Sequence, residues 1–137
     1  MNSKLYIEAE LKDEDVKIIE NGLTEYALSK SSEQNIPISI LIKDDDGKVV
    51  GGLQGNHNSN WLYINALWVD SLHRGKGYGK QMMCEVEQEA LRRGVSNAYL
   101  QTVHSLDFYK KLGYETFSII ENNPEGFNMY YVKKALK

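Results

Sequence analysis

The sequence has one cysteine and only two prolines among its 137 residues. A lone Cys84 forbids an internal disulfide and cannot build a cysteine cage for zinc, so no metal site is expected. No apolar run reaches the ~18 residues that a membrane span requires. The opening residues MNSKLYIEAE contain no apolar secretion core. Basic residues are outnumbered, 16 Lys and Arg against 19 Asp and Glu, for a net charge of −3. That balance argues against a general nucleic-acid or membrane-surface binder. No repeat, low-complexity tract or Pro/Gly/Ser linker marks a boundary. The expectation is one cytoplasmic globular domain over residues 1–137.

What remains reads as a mixed α/β chain. In KLYIEAEL, Leu5, Ile7, Ala9 and Leu11 alternate with polar or mixed neighbours, which predicts a half-buried strand. Asp13 can cap a helix from about residue 14. Val16, Ile19, Leu23, Tyr26 and Ala27 share one face of that helix. Gly22 inside it costs roughly 1 kcal/mol relative to alanine, so a bend or break is expected there. SSEQNIP is read as a loop. ISILIK and VVGGLQG are read as strands joined by a turn with Asp46-Gly47 at its tip. NHNSN is read as a second turn, with His57 in solvent. WLYINALWV, apolar on both faces, is read as a central strand. Residues 77–93 form a helix that Gly94 ends, with Met83, Val86 and Ala90 on its apolar face. Cys84 lies on the flank of that face and is expected to be a small buried hydrophobe, not a nucleophile. NAYLQTV is a strand, and LDFYKKL is a short helix capped by Ser105 and closed by Gly113. ENNPEG turns between the last two strands, YETFSII and FNMYYVKKAL. The order β-α-βββ-α-β-α-ββ predicts a sheet that is parallel in the middle and antiparallel at its ends.

One segment departs from the acidic balance. Arg74-Gly75-Lys76-Gly77-Tyr78-Gly79-Lys80 joins the apolar LWV strand end to the first turn of the long helix. Helix N-termini expose unpaired N–H groups and carry about half a positive charge, which suits phosphate. Glycines allow positive φ and close approach of the backbone to an anion. The spacing is neither the G-x-G-x-x-G dinucleotide fingerprint nor the P-loop, since Gln81 follows Lys80.

Arg74-x-x-Gly77-x-Gly79 after LWV resembles the acetyl-coenzyme A signature of the GNAT N-acetyltransferase superfamily. FYKKLGYE, residues 108–115, is similar to the second hallmark of that family. The two stand in the family's order, and the element order agrees over nearly the whole chain. The first helical region looks shorter than the family's usual two helices.

The resemblance implies a GNAT fold with a central mixed sheet flanked by helices, and acetyl-CoA as cosubstrate. It implies that backbone groups of Leu67, Trp68 and Val69 hold the pantetheine arm as an added strand would. The same strand would splay from the next to admit the thioester. Amides of Arg74, Gly75, Lys76, Gly77, Tyr78 and Gly79 would hold the pyrophosphate, with charge from Arg74 and Lys80. Phe108 and Tyr109 would lie along the lower pantetheine arm, and Lys110 or Lys111 could reach the 3′-phosphate or adenine end. Tyr109 stands at the family's general-acid position. The family often places a carboxylate base on the central strand; Asn65 stands there and cannot take a proton. His104, at the end of the strand before the Tyr109 helix, is the first alternative base. Asp70 is expected to shape the loop.

The predicted activity is direct acetyl transfer to a primary amine of a small molecule or protein. The alternative is a non-catalytic acyl-CoA-binding or sensing domain. Trp61, Tyr63, Asn65, Trp68, Tyr130 and Tyr131 are read either as an acceptor pocket or as core and interface aromatics. No nucleic-acid or membrane partner is expected, and a homodimer is compatible with the sequence.

Overall fold

The computed structural model describes residues 2–31, 34–122 and 126–137, with the side chain of residue 122 left aside. The chain divides into two compact units, Met1–Gln34 and Asn35–Lys137. The predicted SSEQNIP and ENNPEG connections fall partly outside the described residues.

The first unit is one helix, α1 (Asp13–Lys30), preceded by irregular chain. Asp13 is the first helical residue and not the cap; Lys12 takes the cap position without a side-chain bond. Asp13, Glu14 and Asp15 fill the first turn, where their charge favours the helix dipole. The helix runs unbroken through Gly22, so the expected bend is absent. Eighteen residues of helical hydrogen bonding absorb a local penalty of about 1 kcal/mol. The strand expected from KLYIEAEL does not form, and Leu5 and Ile7 are exposed. Alternation decides which side chains share a face, but a strand exists only where a partner edge accepts its ladder.

The second unit is a six-stranded sheet in the order β1-β2-β3-β4-β6-β5, not the seven strands expected. Its strands are β1 (Ile36–Lys43), β2 (Val49–Asn58), β3 (Trp61–Val69), β4 (Asn97–Thr102), β5 (Glu115–Asn122) and β6 (Phe127–Ala135). The helices are α2 (Tyr78–Arg92) and α3 (Leu106–Lys111). The β3–β4 pair is parallel and every other pair antiparallel, as the strand–helix–strand order predicts. The β1–β2 turn is closed by Asp44, whose Oδ1 accepts from the amides of Asp46 and Lys48 at 2.9 Å. Gly47 takes φ 80° there, as the Asp-Gly signal requires.

Core residues follow the two periods. Leu62 and Ile64 of β3, and Ala98 and Leu100 of β4, are buried two residues apart, and Val132 of β6, opposite Leu100, is buried with them. Met82, Met83, Val86 and Ala90 of α2 pack with them in one cluster. Cys84 is exposed, contrary to expectation. The buried stripe passes through 82, 83, 86, 87 and 90, which turns position 84 outward.

His57 is a second correction. It lies inside β2 and is 7% exposed, because β2 extends past the expected turn to Asn58. Arg93 Nη1 stands 3.2 Å from its Nε2 and also donates to the Pro37 carbonyl. Burial first, and the Arg93 charge second, pull the imidazole pKa down.

Candidate active site

Two features of β3 shape the site. First, its register with β2 shifts between Gln54↔Ala66 and Gly55↔Ile64, so Asn65 is an extra, unpaired residue: a β-bulge. Second, its parallel pairing with β4 covers only Trp61–Tyr63 against Asn97–Tyr99. Beyond Tyr63 the two strands part, and the far edge of Ile64–Val69 carries no β4 ladder. The splay expected from the resemblance is therefore present.

Two clefts open around this gap. The larger, of about 410 Å³, is walled by Leu67 and Val69 of β3, the loop and first turn of α2, and Ser105, Phe108 and Tyr109. The smaller, about 280 Å³, is walled by Ile64–Leu67 of β3, Leu100–Thr102 of β4, and Val103, His104, Ser105 and Tyr109. Leu67, Ser105 and Tyr109 belong to both.

The loop gains its shape from local chemistry. Asp70 Oδ2 accepts from the Leu72 amide and from His73 Nδ1, both at 3.2 Å, and starts a short 3-10 turn, Ser71–His73. Asp70 shapes the loop, as expected. The bond to His73 is the main cause holding the Asp70 carboxyl below its ordinary range. Arg74 Nε donates to the Val69 carbonyl at 2.9 Å, tying the loop back to β3. Gly75 and Gly77 take φ of 78° and 83°, values that favour glycine. The first helical bond of α2 runs from the Gln81 amide to the Gly77 carbonyl. The amides of Tyr78, Gly79 and Lys80 therefore have no carbonyl partner within the helix. A Cβ at Gly79 would lie 3.3 Å from Phe108 Cζ, so glycine there lets α3 sit against α2.

Of the residues expected to contact cofactor, the larger cleft gathers Leu67, Val69, Arg74, Gly75, Gly77, Tyr78, Gly79, Lys80, Phe108 and Tyr109. Trp68, Lys76, Lys110 and Lys111 are not in its wall and are exposed. His73 and Ser105 are in the wall and were not expected. Proximity to Arg74 was the available signal for His73. Ser105 sits at the expected helix cap, yet its side chain makes no capping bond and it lines both clefts instead.

Tyr109 is 7% exposed, and burial raises its pKa above the ordinary 10.0, so the phenol keeps its proton. His104 lies in the smaller cleft, edge-on to Phe127 with ring centroids 5.0 Å apart. Asn65 lines the same cleft, its Oδ1 accepting from Asn56 Nδ2 at 2.9 Å. The aromatic residues pair elsewhere: Tyr99 packs against Trp61 and Tyr63, and Tyr131 against Phe117. Tyr130 packs on the core. None of these aromatics walls the smaller cleft.

The arrangement can cradle a phosphate-bearing ligand along one cleft and bring a protonated phenol to the place where a second cleft joins it. Comparison with known proteins gives a coherent result. The family model described as acetyltransferase (GNAT) family matches residues 6–114. Acetyltransferase Atu2258 of Agrobacterium fabrum is 30% identical over 121 residues, covering 86% of this chain and 88% of that protein. The crystal structure of an acetyltransferase from Bacillus cereus superposes with a TM-score of 0.75 at 28% identity, covering 96% of this chain and 97% of the other. An aminoglycoside 6'-N-acetyltransferase complexed with coenzyme A superposes with a TM-score of 0.66 at 19% identity, over 74% of this chain and 73% of the other, a likeness of fold.

Proposed function

The chain belongs to the acetyltransferase (GNAT) family, and from that membership we propose that it moves the acetyl group of acetyl-CoA directly onto a primary amine of a small molecule or protein. One observation carries the reading: the two clefts meet at Tyr109. The loop fits a diphosphate, because two left-handed glycines open it and three amides at the α2 N-terminus lack helical partners. His73, Arg74 and Lys80 add donors and charge to the same wall. The aminoglycoside 6'-N-acetyltransferase of like fold is complexed with coenzyme A, which supports that ligand class.

When bound, acetyl-CoA supplies an activated acyl group. The chain's own part is to bind, to align and to manage protons. The unladdered edge of Leu67–Val69 can hold an extended arm as an added strand. Backbone N–H groups near Trp68 and Val69 can stabilise the oxyanion. Tyr109 Oη, kept protonated by burial, donates to the departing sulfur. An alkyl amine must lose a proton before attack. His104 is the candidate base, since it stands in the acceptor cleft while Asn65 has no basic atom.

The test is release of free thiol from acetyl-CoA across a panel of aminoglycosides, polyamines, amino-acid amides and peptide N-termini. Turnover with an amine and none without it is expected. Tight CoA binding with no thiol release on any amine would instead support a sensing domain.

A further inference from the structure

The proposed mechanism leaves one buried polar cluster unused. Glu87 of α2 is 8% exposed, among apolar neighbours. Its Oε2 accepts from Tyr114 Oη at 2.8 Å, and its Oε1 accepts from Lys134 Nζ of β6, also at 2.8 Å. Tyr114 itself is 3% exposed. A buried carboxylate is costly unless charge and hydrogen bonds compensate it, and here both oxygens are engaged. The Lys134 stem fits over Gly113, where a Cβ would stand 3.3 Å from Cε. Gly113 also has φ 96°, which turns the chain out of α3 directly into Tyr114.

Tyr114 leads back to the reaction. Its amide donates to the Tyr109 carbonyl at 3.0 Å, and its ring meets the Tyr109 ring edge-on with centroids 5.9 Å apart. Tyr109 also meets Phe108 edge-on at 4.9 Å, and Phe108 rests against Gly79. The α3 segment is thus pinned to α2 at two points, Phe108 on Gly79 and Tyr114 on Glu87, with Tyr109 between them. The helix that carries the phosphate cradle at its N-terminus also carries the carboxylate that fixes the tyrosine backing the acid.

We infer that Glu87, through its hydrogen bond to Tyr114, is a positioning residue for the Tyr109 phenol. The inference rests on the reading of Tyr109 as the acid. A phenol ring held by the edges of its aromatic neighbours can tilt if one of them is released. A tilt of the donor oxygen affects the step in which the proton moves more than it affects binding of the cofactor. Burial, and the Glu87 charge beside it, hold the Tyr114 phenol in its protonated, donating form.

A double-mutant cycle tests this. Tyr114→Phe removes only the hydroxyl, and it should lower kcat roughly tenfold while KM for acetyl-CoA stays within about twofold. In a Tyr109→Phe background the same change should alter kcat by less than about twofold. Equal losses in the two backgrounds, or an unchanged kcat in the parent, would overturn the inference. Tyr109→Phe at full rate would overturn the acid reading itself, and that is read from a separate arm. If Tyr114→Phe does not accumulate folded, Glu87→Met makes the same cut from the other side. Glu87→Gln, which still accepts from the phenol, should then recover most of the rate. A Gln variant as slow as the Met variant would reject the hydrogen bond as the cause.

Discussion

Gly55 of β2 lies so close to the Tyr63 carbonyl of β3 that a Cβ at position 55 would stand 2.8 Å from that oxygen. Backbone cannot swing aside as a long side chain can. The contact falls at the register shift that leaves Asn65 unpaired, and one residue pair from the last β3–β4 ladder position. The missing side chain therefore permits the bulge, and the bulge adjoins the gap around which the smaller cleft opens. Gly55→Ala should destabilise the protein by ~1–3 kcal/mol through overpacking. A thermal melt should show a fall of several degrees, and an unchanged melting temperature would mean that the strands separate there at little cost.

His57 and Arg93 make stability depend on pH. The imidazole accepts from Arg93 through Nε2, so the folded state holds it neutral and its pKa sits below the ordinary 6.5. The unfolded chain takes up the proton first as pH falls. Stability from this group is complete above about pH 6.5, is lost as pH falls from there through the folded pKa, and is constant below it. His57→Gln keeps an acceptor for Arg93 and removes the titration. Melting temperature plotted against pH should slope less for this variant between neutral and mildly acidic buffer. Parallel curves would remove His57 from the acid response.

Legibility in the sequence followed the physics of each signal. Strands β3, β4 and β6 and helix α2 carry their own periodicity and end markers, so their places could be read within a residue or two. The left-handed turns at Gly75 and Gly77 were legible because closely spaced glycines at the mouth of a helix signal positive φ. What failed needed partners that are not local. Residues 4–11 alternate yet join no strand ladder among the described residues, and His57 looked solvated because Asn-rich neighbours hide a strand that runs on to Asn58. In the Glu87–Tyr114–Lys134 cluster, Glu87 stands 27 residues from Tyr114 and 47 from Lys134 along the chain, so no sequence window contains it. Ser105 was not placed in the cleft because it read as the cap of α3, and His73 drew no reading although it adjoins Arg74.

Gly77 tests the cradle. It caps α2 at φ 83°, and a Cβ there would meet nothing within 4 Å. A larger side chain therefore finds room, and the fold bears only the left-handed strain of ~1–2 kcal/mol. Gly77 also walls the larger cleft, so an indole at this position competes with whatever enters. Gly77→Trp should raise Kd for CoA by at least about tenfold, or 1.4 kcal/mol, with circular dichroism nearly unchanged. Titration calorimetry measures this, and a Kd equal to that of the parent would remove the loop from the cofactor site.

Tyr109→Phe addresses the chemistry most directly. The ring that packs between Phe108 and Tyr114 remains, so cofactor affinity and melting temperature should change little. The lost hydroxyl leaves the thiolate to depart without an adjacent acid, which should lower kcat by ~10–100-fold, the lower range for general-acid catalysis because a thiolate is already a fair leaving group. The pH profile adds an independent readout. Burial raises the Tyr109 pKa above 10.0, so this group stays protonated across the usual assay range. Parent kcat should then show no alkaline fall from Tyr109 below about pH 10. A limb descending near neutral pH, or a phenylalanine variant with unchanged kcat under conditions where chemistry limits turnover, would assign the departing sulfur's proton to another donor.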